Sequence, residues 1–180
     1  TYLASVSVTA PDSWGALSGS SWSIGIVGGD SGAVTDAAGN VVDDGMNTTS
    51  LYTGVNVFTG LEGLSVGAAL DYRFNGANAV SYQENYAYAI AGYLSVAATE
   101  KWTINGRLEY TKGSDGTYFD SINDDANELF AVTGTFDYQL WANVLSRLEL
   151  RWDTSLTDDA PYANEDKNAI TLAGNLVYMF

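Results

Sequence analysis

Hydrophobic and polar residues alternate along most of the chain, in stretches separated by polar connectors. Alternation with a period of two predicts β-strands, because successive side chains of a strand point to opposite faces. The stretches are longer than the typical strand of a soluble protein, about 5–6 residues, and match the about 9–11 residues of a tilted transmembrane strand. We predict nine strands: Tyr2–Ala10, Ser21–Gly28, Thr49–Thr59, Leu64–Phe74, Tyr86–Ala98, Trp102–Thr111, Leu129–Trp141, Val144–Thr154 and Ala169–Phe180.

Each predicted strand has one apolar and one polar face. In Trp102–Thr111, for example, Trp102 and Leu108 point one way, whereas Arg107 and Glu109 point the other. In residues 64–74, 86–98, 102–110, 130–140 and 144–154, every charge falls on an odd-numbered position. We therefore expect the even-numbered residues of these strands to face lipid and the odd-numbered residues to face the lumen of a barrel.

A soluble β-sandwich would show the same alternation, so the choice between the two folds depends on other features. The first is the position of the aromatic residues on the apolar face, which lie near the ends of the strands and not at their centres. Two such groups are typical of the interfacial girdles of a membrane barrel. The predicted membrane-interface aromatics are Tyr72, Phe74, Tyr86, Tyr110, Trp102, Tyr138, Trp152, Tyr178 and Phe180.

The connectors between the predicted strands alternate in length. Short turns lie around Glu62, at Thr99–Lys101 and at Ala142–Asn143, while Pro11–Ser20 is a longer connector on the same side. Short periplasmic turns and long extracellular loops are the outer-membrane arrangement, which predicts a periplasmic C-terminus. The long loops are Asp30–Asn47, Asn75–Asn85, Lys112–Glu128 and Leu156–Asn168.

Charge is also sorted along the chain. The chain has 7 Lys and Arg against 22 Asp and Glu, a net charge of −15, and 14 of these acids lie in the long loops. The predicted polar faces are nearly neutral, with five acids and four arginines. We expect a channel that weakly prefers cations because of its acidic mouth. The predicted pore-lining residues are Asp71, Arg73, Arg107, Glu109, Asp137, Arg147, Glu149, Arg151 and Asp153.

Composition excludes several kinds of chemistry. The chain has no Cys and no His, which removes disulfides, thiolate sites and imidazole-based catalysis. The acidic balance argues against a nucleic-acid partner. Glu109 and Glu149 are the one pair of carboxylates worth considering for glycoside hydrolysis, but their arginine neighbours favour two ionised groups over a general acid. We predict that the protein is not an enzyme and has no catalytic residues.

One long loop contains several hard oxygen ligands. A divalent cation is conceivable there, because Ca²⁺ prefers carboxylate and carbonyl oxygens, but the spacing does not match an EF-hand. Solvated acids are the favoured interpretation, and we expect no resident cofactor. The candidate ligands are Asp120, Asp124, Asp125 and Glu128.

The end of the chain resembles known outer-membrane proteins. A final aromatic strand ending in Phe180 is similar to the assembly signal of bacterial barrels. The last ~130 residues resemble the β-barrel porin family called OmpL-like. The stretches that carry this resemblance are 102–110 (WTINGRLEY), 136–140 (FDYQL) and 145–153 (LSRLELRWD).

The resemblance implies a Gram-negative outer-membrane porin and supplies no catalytic residues. The partners that we expect are outer-membrane lipid and lipopolysaccharide, the barrel-assembly machinery through Phe180, and further copies of the chain in a homo-oligomer such as a trimer.

Nine strands are an odd number, whereas single-chain bacterial barrels have even counts. We therefore expect residues 1–180 to form one β-barrel unit, without a separate soluble domain, that is the C-terminal part of a barrel of about 16 strands. The alternative is a complete barrel of eight or ten strands. Two functions follow from these alternatives: a porin passing ions and small polar solutes, or a non-conducting barrel that serves as a surface, adhesion or membrane-anchor protein.

Overall fold

The computed structural model describes residues 1–30, 34–35, 37–43, 47–75, 86–114 and 127–180. In this part of the chain, nine strands form one sheet and two short strands form a separate hairpin. A 3₁₀ helix, Asp12–Leu17, follows the first strand. The strands are β1 (Tyr2–Thr9), β2 (Ser21–Asp30), β3 (Val34–Thr35), β4 (Val41–Asp43), β5 (Asn47–Phe58), β6 (Leu64–Asn75), β7 (Tyr86–Ala97), β8 (Trp102–Gly113), β9 (Glu128–Trp141), β10 (Val144–Ser155) and β11 (Asn168–Tyr178).

The large sheet is an antiparallel meander with the order β1-β2-β5-β6-β7-β8-β9-β10-β11. All nine predicted strands are present, and each observed end lies within two residues of the predicted one. The prediction of an all-β, up-and-down antiparallel architecture is confirmed. None of the helical structure in the described ranges is long and apolar enough to span a bilayer.

The short turns have local causes in the sequence. In the turn between β5 and β6, Gly60 and Gly63 both adopt a positive φ, which side chains disfavour. A Cβ at Gly63 would also lie 2.7 Å from the carbonyl oxygen of Ala97. Between β7 and β8, the Thr99 hydroxyl accepts hydrogen bonds from the backbone N–H groups of Lys101 and Trp102. These turns keep successive strands adjacent.

The two faces of the sheet show an inverted pattern of burial. On the apolar face, Leu108 is 54% exposed and Leu148 is 50% exposed, whereas on the polar face Ala131 and Thr133 are only 4% and 8% exposed. No second sheet covers the apolar face within the described residues. A soluble sandwich would bury that face against a partner sheet. The exposed apolar face of the sheet is therefore suited to contact with an apolar medium.

Two connectors contain structure that the alternation did not predict. The 3₁₀ helix lies in the connector Pro11–Ser20, and its residues Trp14 and Leu17 help to line an apolar cavity of about 350 Å³ with Trp22 of β2. The loop that joins β2 to β5 contains the β3–β4 hairpin. Both segments are too short for period-two alternation to indicate them.

The large sheet is open at its two edges. β1 pairs with β2 alone and β11 with β10 alone, so the nine strands do not close on themselves, as expected from their odd number. Because neighbours alternate in direction, β1 and β11 run in the same direction. Direct pairing between them would break the antiparallel pattern.

Candidate functional site

The register of β7–β10 places the charges of the polar face in rows that run across the strands. Residues directly opposite each other on neighbouring strands share a row, and successive rows are about 6.6–6.8 Å apart along a strand. From the long-loop end downward, the acidic row contains Glu109, Ala131 and Asp153, and the basic row contains Arg107, Thr133 and Arg151. The next two are the oxygen row, which contains Ser65, Ser95, Asn105, Thr135 and Glu149, and the mixed row, which contains Thr103, Asp137 and Arg147.

Each arginine of these rows contacts a carboxylate. Arg107 forms an ion pair with Glu109, two positions along the same strand. Arg151 Nη2 lies 2.7 Å from Asp153 Oδ1 and 3.5 Å from Glu109 Oε1. The basic row is therefore tied to the acidic row above it.

In the mixed row, the ion pair runs between strands. Arg147 Nε donates to Asp137 Oδ1 at 2.6 Å, and Nη2 donates to Oδ2 at 3.1 Å. The amide of Asn105 also donates to Asp137 Oδ2, at 3.2 Å. A bidentate arginine–carboxylate pair is geometrically specific, so this contact fixes β10 against β9.

Glu149 differs from the other carboxylates of the rows. It accepts a hydrogen bond of 3.1 Å from the Thr135 hydroxyl but forms no ion pair with any described residue. The rows together hold three arginines and four carboxylates, a balance of −1. Glu149, at the middle of β10, interacts electrostatically with Arg147 and Arg151 on either side of it without a direct ion pair.

A cavity of about 510 Å³ opens on the polar face in front of these rows. Its lining extends from Asn56 of β5 to Arg151 of β10, so the sheet curves around its polar side. Tyr93 also lines the cavity, with the Arg107 guanidinium 5.7 Å from the centre of its ring. Among the described residues, Arg107 Nε and Thr133 Oγ1 are buried without a hydrogen-bond partner.

The polar face of β1, β2 and β5 carries no charge at its centre. The Ser7 and Ser23 hydroxyls lie 2.8 Å apart across β1 and β2. Tyr52 lies over Gly54 on the same strand, where a Cβ would come within 2.3 Å of the Tyr52 hydroxyl. This half of the face is therefore formed by neutral side chains.

The nine predicted pore-lining residues all lie on the polar face, although no observation tests their contact with a channel. Seven of them come together in the rows of β8–β10. Asp71 and Arg73 lie on β6, where their partners across β7 are Ala89 and Ala87. Neither forms an ion pair within the described part of the chain, so the structure does not bring these two into the charged cluster.

The predicted interface aromatics cluster on the apolar face at the two ends of the strands. Near the long loops, Tyr88 lies 6.5 Å from Tyr72 and 6.0 Å from Tyr110 between ring centres, and Phe130 lies 6.4 Å from Trp152. Near the short turns, the rings of Trp102 and Tyr138 are 4.5 Å apart. Tyr178 ends β11, and Phe180 lies beyond it and is exposed. Their role at a membrane interface remains a prediction.

Sequence reasoning missed two aromatics that extend these clusters. Trp22 lies at the short-turn end of β2 and donates from Nε1 to Thr53 Oγ1 at 2.9 Å. Tyr2 lies at the long-loop end of β1, across from Gly28, with its hydroxyl 2.7 Å from Thr49 Oγ1. The same even-position rule, applied to the first two strands, would have found both.

The rim of the sheet carries charges on its apolar face at positions that the sequence analysis assigned to a loop. β8 and β9 extend past their predicted ends and bring Lys112 and Glu128 onto the apolar face, where they form an ion pair. Pairing of the two charges across the strands offsets part of their desolvation at this edge. Asp30, at the long-loop end of β2, lies on the same face, and the other apolar-face positions of the nine described strands are uncharged.

The metal candidates receive no structural support. Asp120, Asp124 and Asp125 lie outside the described residues, and Glu128 is paired with Lys112. Among the residues that the structure describes, no three acidic side chains come together in a way that could hold a metal ion.

The loop between β10 and β11 is described in full and is tied by local contacts. The Asn168 backbone N–H, which lies 2.9 Å from Asp166 Oδ1, holds the pKa of that carboxyl below its usual value, and the Asn168 side chain adds to this. Burial raises the pKa of Tyr162, as does the nearby charge of Asp153. Tyr162 thus lies close to the acidic row.

Comparison with known proteins gives one match. The family described as Putative beta-barrel porin-2, OmpL-like matches residues 5–180. The match covers nearly the whole chain and is longer than the C-terminal part that carries the resemblance in the sequence. No curated protein and no solved structure matches the chain.

Proposed function

Because the chain belongs to the β-barrel porin-2, OmpL-like family, we propose that it forms the wall of a water-filled channel for ions and small polar solutes. Membership of a porin family indicates a protein of the bacterial outer membrane and a channel in place of an enzyme. The observation that carries the proposal is the inverted burial of the sheet, with paired charges on its curved polar face and exposed hydrophobic residues on the other. Charges on that polar face need water, whereas an arginine on a lipid face costs about 2–4 kcal/mol at the midplane.

Further strands are needed for such a channel. Open edges are not tolerated in the hydrocarbon region, because unpaired backbone groups cannot reach water there. An all-antiparallel barrel that contains these nine strands requires an odd number of additional strands between β11 and β1. A barrel of about 16 strands has an aqueous lumen, whereas eight strands leave an interior filled by side chains.

The channel proposed here prefers cations weakly. The four long loops contain 14 acids and two lysines, a charge of −12. Fixed negative charge at an entrance raises the local cation concentration. The Debye length falls from about 8 Å at physiological salt to about 3 Å at 1 M, so the contribution of the loops should fade as salt increases.

Planar-bilayer recording of the full-length protein tests the proposal. We expect stable conductance steps and a reversal potential that indicates cation preference in dilute KCl. Insertion without conductance would overturn the porin function and favour the non-conducting anchor. Conductance with anion preference in dilute KCl would contradict the proposed role of the acidic loops but not the porin function.

A further inference from the structure

The cavity on the polar face is lined by arginines and not by the carboxylates that pair with them. Its lining includes Arg107, Arg147 and Arg151 together with one carboxylate, that of Glu149. Within the ion pairs, the arginine side chains are 30% to 40% exposed, whereas the side chains of the partner carboxylates are 13% to 17% exposed. The surface that the charged rows present to the cavity is therefore basic, although the rows contain more carboxylates than arginines.

Two of these arginines converge in the basic row. Arg107 and Arg151 lie one strand away from Thr133 on either side, which separates their Cα atoms by about 10 Å. Both guanidiniums nevertheless reach the same carboxylate, that of Glu109. Two guanidiniums from different strands thus lie within reach of one acidic group.

These arginines retain N–H donors that no described residue uses, although a guanidinium has five. Arg151 uses Nε and Nη2 for Asp153 and Glu109, which leaves Nη1 without a partner in the described part of the chain. Arg107 contacts Glu109 through Nη2, and its Nε has no hydrogen-bond partner among the described residues, nor has the Thr133 hydroxyl. Buried polar groups are normally hydrogen-bonded, so the basic row has unused capacity to donate to a ligand.

A tyrosine and an open space lie beside the basic row. Tyr93 of β7 is directly opposite Arg107, and Gly67 of β6 is directly opposite Tyr93. The Tyr93 ring is exposed and its centre lies 5.7 Å from the Arg107 guanidinium. Asn56, Gly67 and Tyr93 line both this cavity and a second one, of about 260 Å³, over the neutral half of the face. A solute held at the arginines would therefore have space for an uncharged body on the side of Tyr93.

We propose that the basic row and Tyr93 form a binding site for small organic carboxylates that pass through the channel. The carboxylate accepts hydrogen bonds from Arg107 and Arg151, and the body of the solute lies against the Tyr93 ring. A guanidinium presents its donors in a fork that matches a carboxylate, and an aromatic ring packs well against a flat apolar group. The inference deepens the proposed channel function and rests on it.

The partner carboxylates keep this site weak. Glu109 and Asp153 neutralise much of the charge of the two arginines, and Glu149 interacts electrostatically with Arg151. Conduction requires that a solute which binds can also leave, so weak binding suits a channel. The acidic loops concentrate cations at the mouth, whereas this site holds anions on the wall, and the two effects act on opposite ions.

The test measures how benzoate blocks the current through the full-length protein in planar bilayers, in dilute KCl at neutral pH. Benzoate should block the wild-type channel reversibly, whereas benzamide, an uncharged analogue of the same size, should not. A unit charge about 4 Å from an ion in water changes its local concentration by about fivefold. Arg107→Gln and Arg151→Gln should each raise the benzoate concentration for half block by about twofold to fivefold.

The matched control is Arg73→Gln, which removes the same charge from the polar face of β6, outside the lining of the cavity. It should leave the block by benzoate unchanged. A larger effect on benzoate than on acetate is expected for Tyr93→Ala, because acetate has no ring. That variant should weaken the block by benzoate about twofold to tenfold and leave the block by acetate unchanged.

A variant with the opposite sign keeps the test decisive where an arginine variant does not insert. Glu109→Gln removes the charge that both guanidiniums contact and should lower the benzoate concentration for half block by about twofold to fivefold. A wild-type channel that conducts without block by benzoate, equal block in the wild type and both arginine variants, or no gain in Glu109→Gln would overturn the site and leave the porin function standing. A wild-type protein that inserts but never conducts would overturn both.

Discussion

The polar face of the sheet has two unlike halves. Over β8–β10 it consists of charged rows in which each arginine contacts a carboxylate, with Asp137 accepting from both Arg147 and Asn105. Over β1, β2 and β5 it consists of neutral side chains such as Ser7, Ser23 and Asn56, with Tyr52 lying over Gly54. The side chains of the charged half are joined by ion pairs and hydrogen bonds, whereas the neutral half borders a cavity of about 260 Å³ lined in part by Ser21, Ser23 and Gly54. A solute in the proposed channel would therefore meet an electric field on one side and free volume on the other.

The largest effect on stability should come from a broken pair in the charged half. Asp137→Leu leaves the Arg147 guanidinium and the Asn105 amide without their acceptor. Because the arginine is partly exposed, we expect the free energy of unfolding to fall by about 1–2 kcal/mol, below the full cost for a buried charge. Urea unfolding in lipid vesicles, followed by tryptophan fluorescence, measures this change.

The matched control lies in the neutral half. Asn56→Leu replaces a similar polar side chain that has no hydrogen bond to a described residue, and we expect a change within about 0.5 kcal/mol. Equal losses in Asp137→Leu and Asn56→Leu would show that the two halves do not differ in how their side chains constrain the sheet.

A smaller effect is expected when a charge is placed in the neutral half. Ser23→Arg introduces a guanidinium on β2, and the polar face of β1, β2 and β5 offers it no carboxylate. We expect the permeability ratio of K⁺ to Cl⁻ to fall by about fivefold at most, which corresponds to about 1 kcal/mol. Ser23→Gln is the control for size, and it should leave the ratio unchanged in the same bilayer recording.

The smallest effect concerns the loop above the charged half. The pKa of Asp166 is lowered in the folded loop, so its contribution to loop stability is present above the ordinary pKa of an aspartate and is lost as the pH falls through the lowered value. The protection of the Asn168 amide against exchange, taken relative to its intrinsic exchange rate at each pH, should therefore fall in acid. In Asp166→Asn this acid-dependent change should disappear, whereas Asp159→Asn should leave it intact.

The sequence predicted the strands and the face of each side chain because both depend on local alternation. Leu108 and Arg107, for example, lie on opposite faces as expected. It did not predict which charges would pair, because a row is defined by the register of separate strands. Arg147 is two positions from Glu149 in the chain but forms its ion pair with Asp137 on β9, which only the register of the two strands reveals.

Hydrophobic alternation did not predict several other features of the structure. The 3₁₀ helix that carries Trp14 is one short turn of structure, and the β3–β4 hairpin has strands of two and three residues. The ion pair between Lys112 and Glu128 lies on the apolar face because hydrogen bonding continues past the last alternating positions. Strand ends depend on backbone pairing, which a pattern of side chains does not record.

The cross-strand ion pair between Asp137 and Arg147 also helps to fix the register between β9 and β10. A slip of one residue between β9 and β10 would turn every charge of one strand toward the apolar side, so hydrophobic alternation alone forbids it. A slip of two residues keeps the alternation intact and is therefore invisible to hydrophobicity. In one direction that slip would bring Asp137 opposite Glu149, two like charges, and in the other it would bring Asp137 opposite Leu145. The charges thus disfavour the two-residue slips that the hydrophobic pattern permits, which leaves β9 and β10 with a single favoured register.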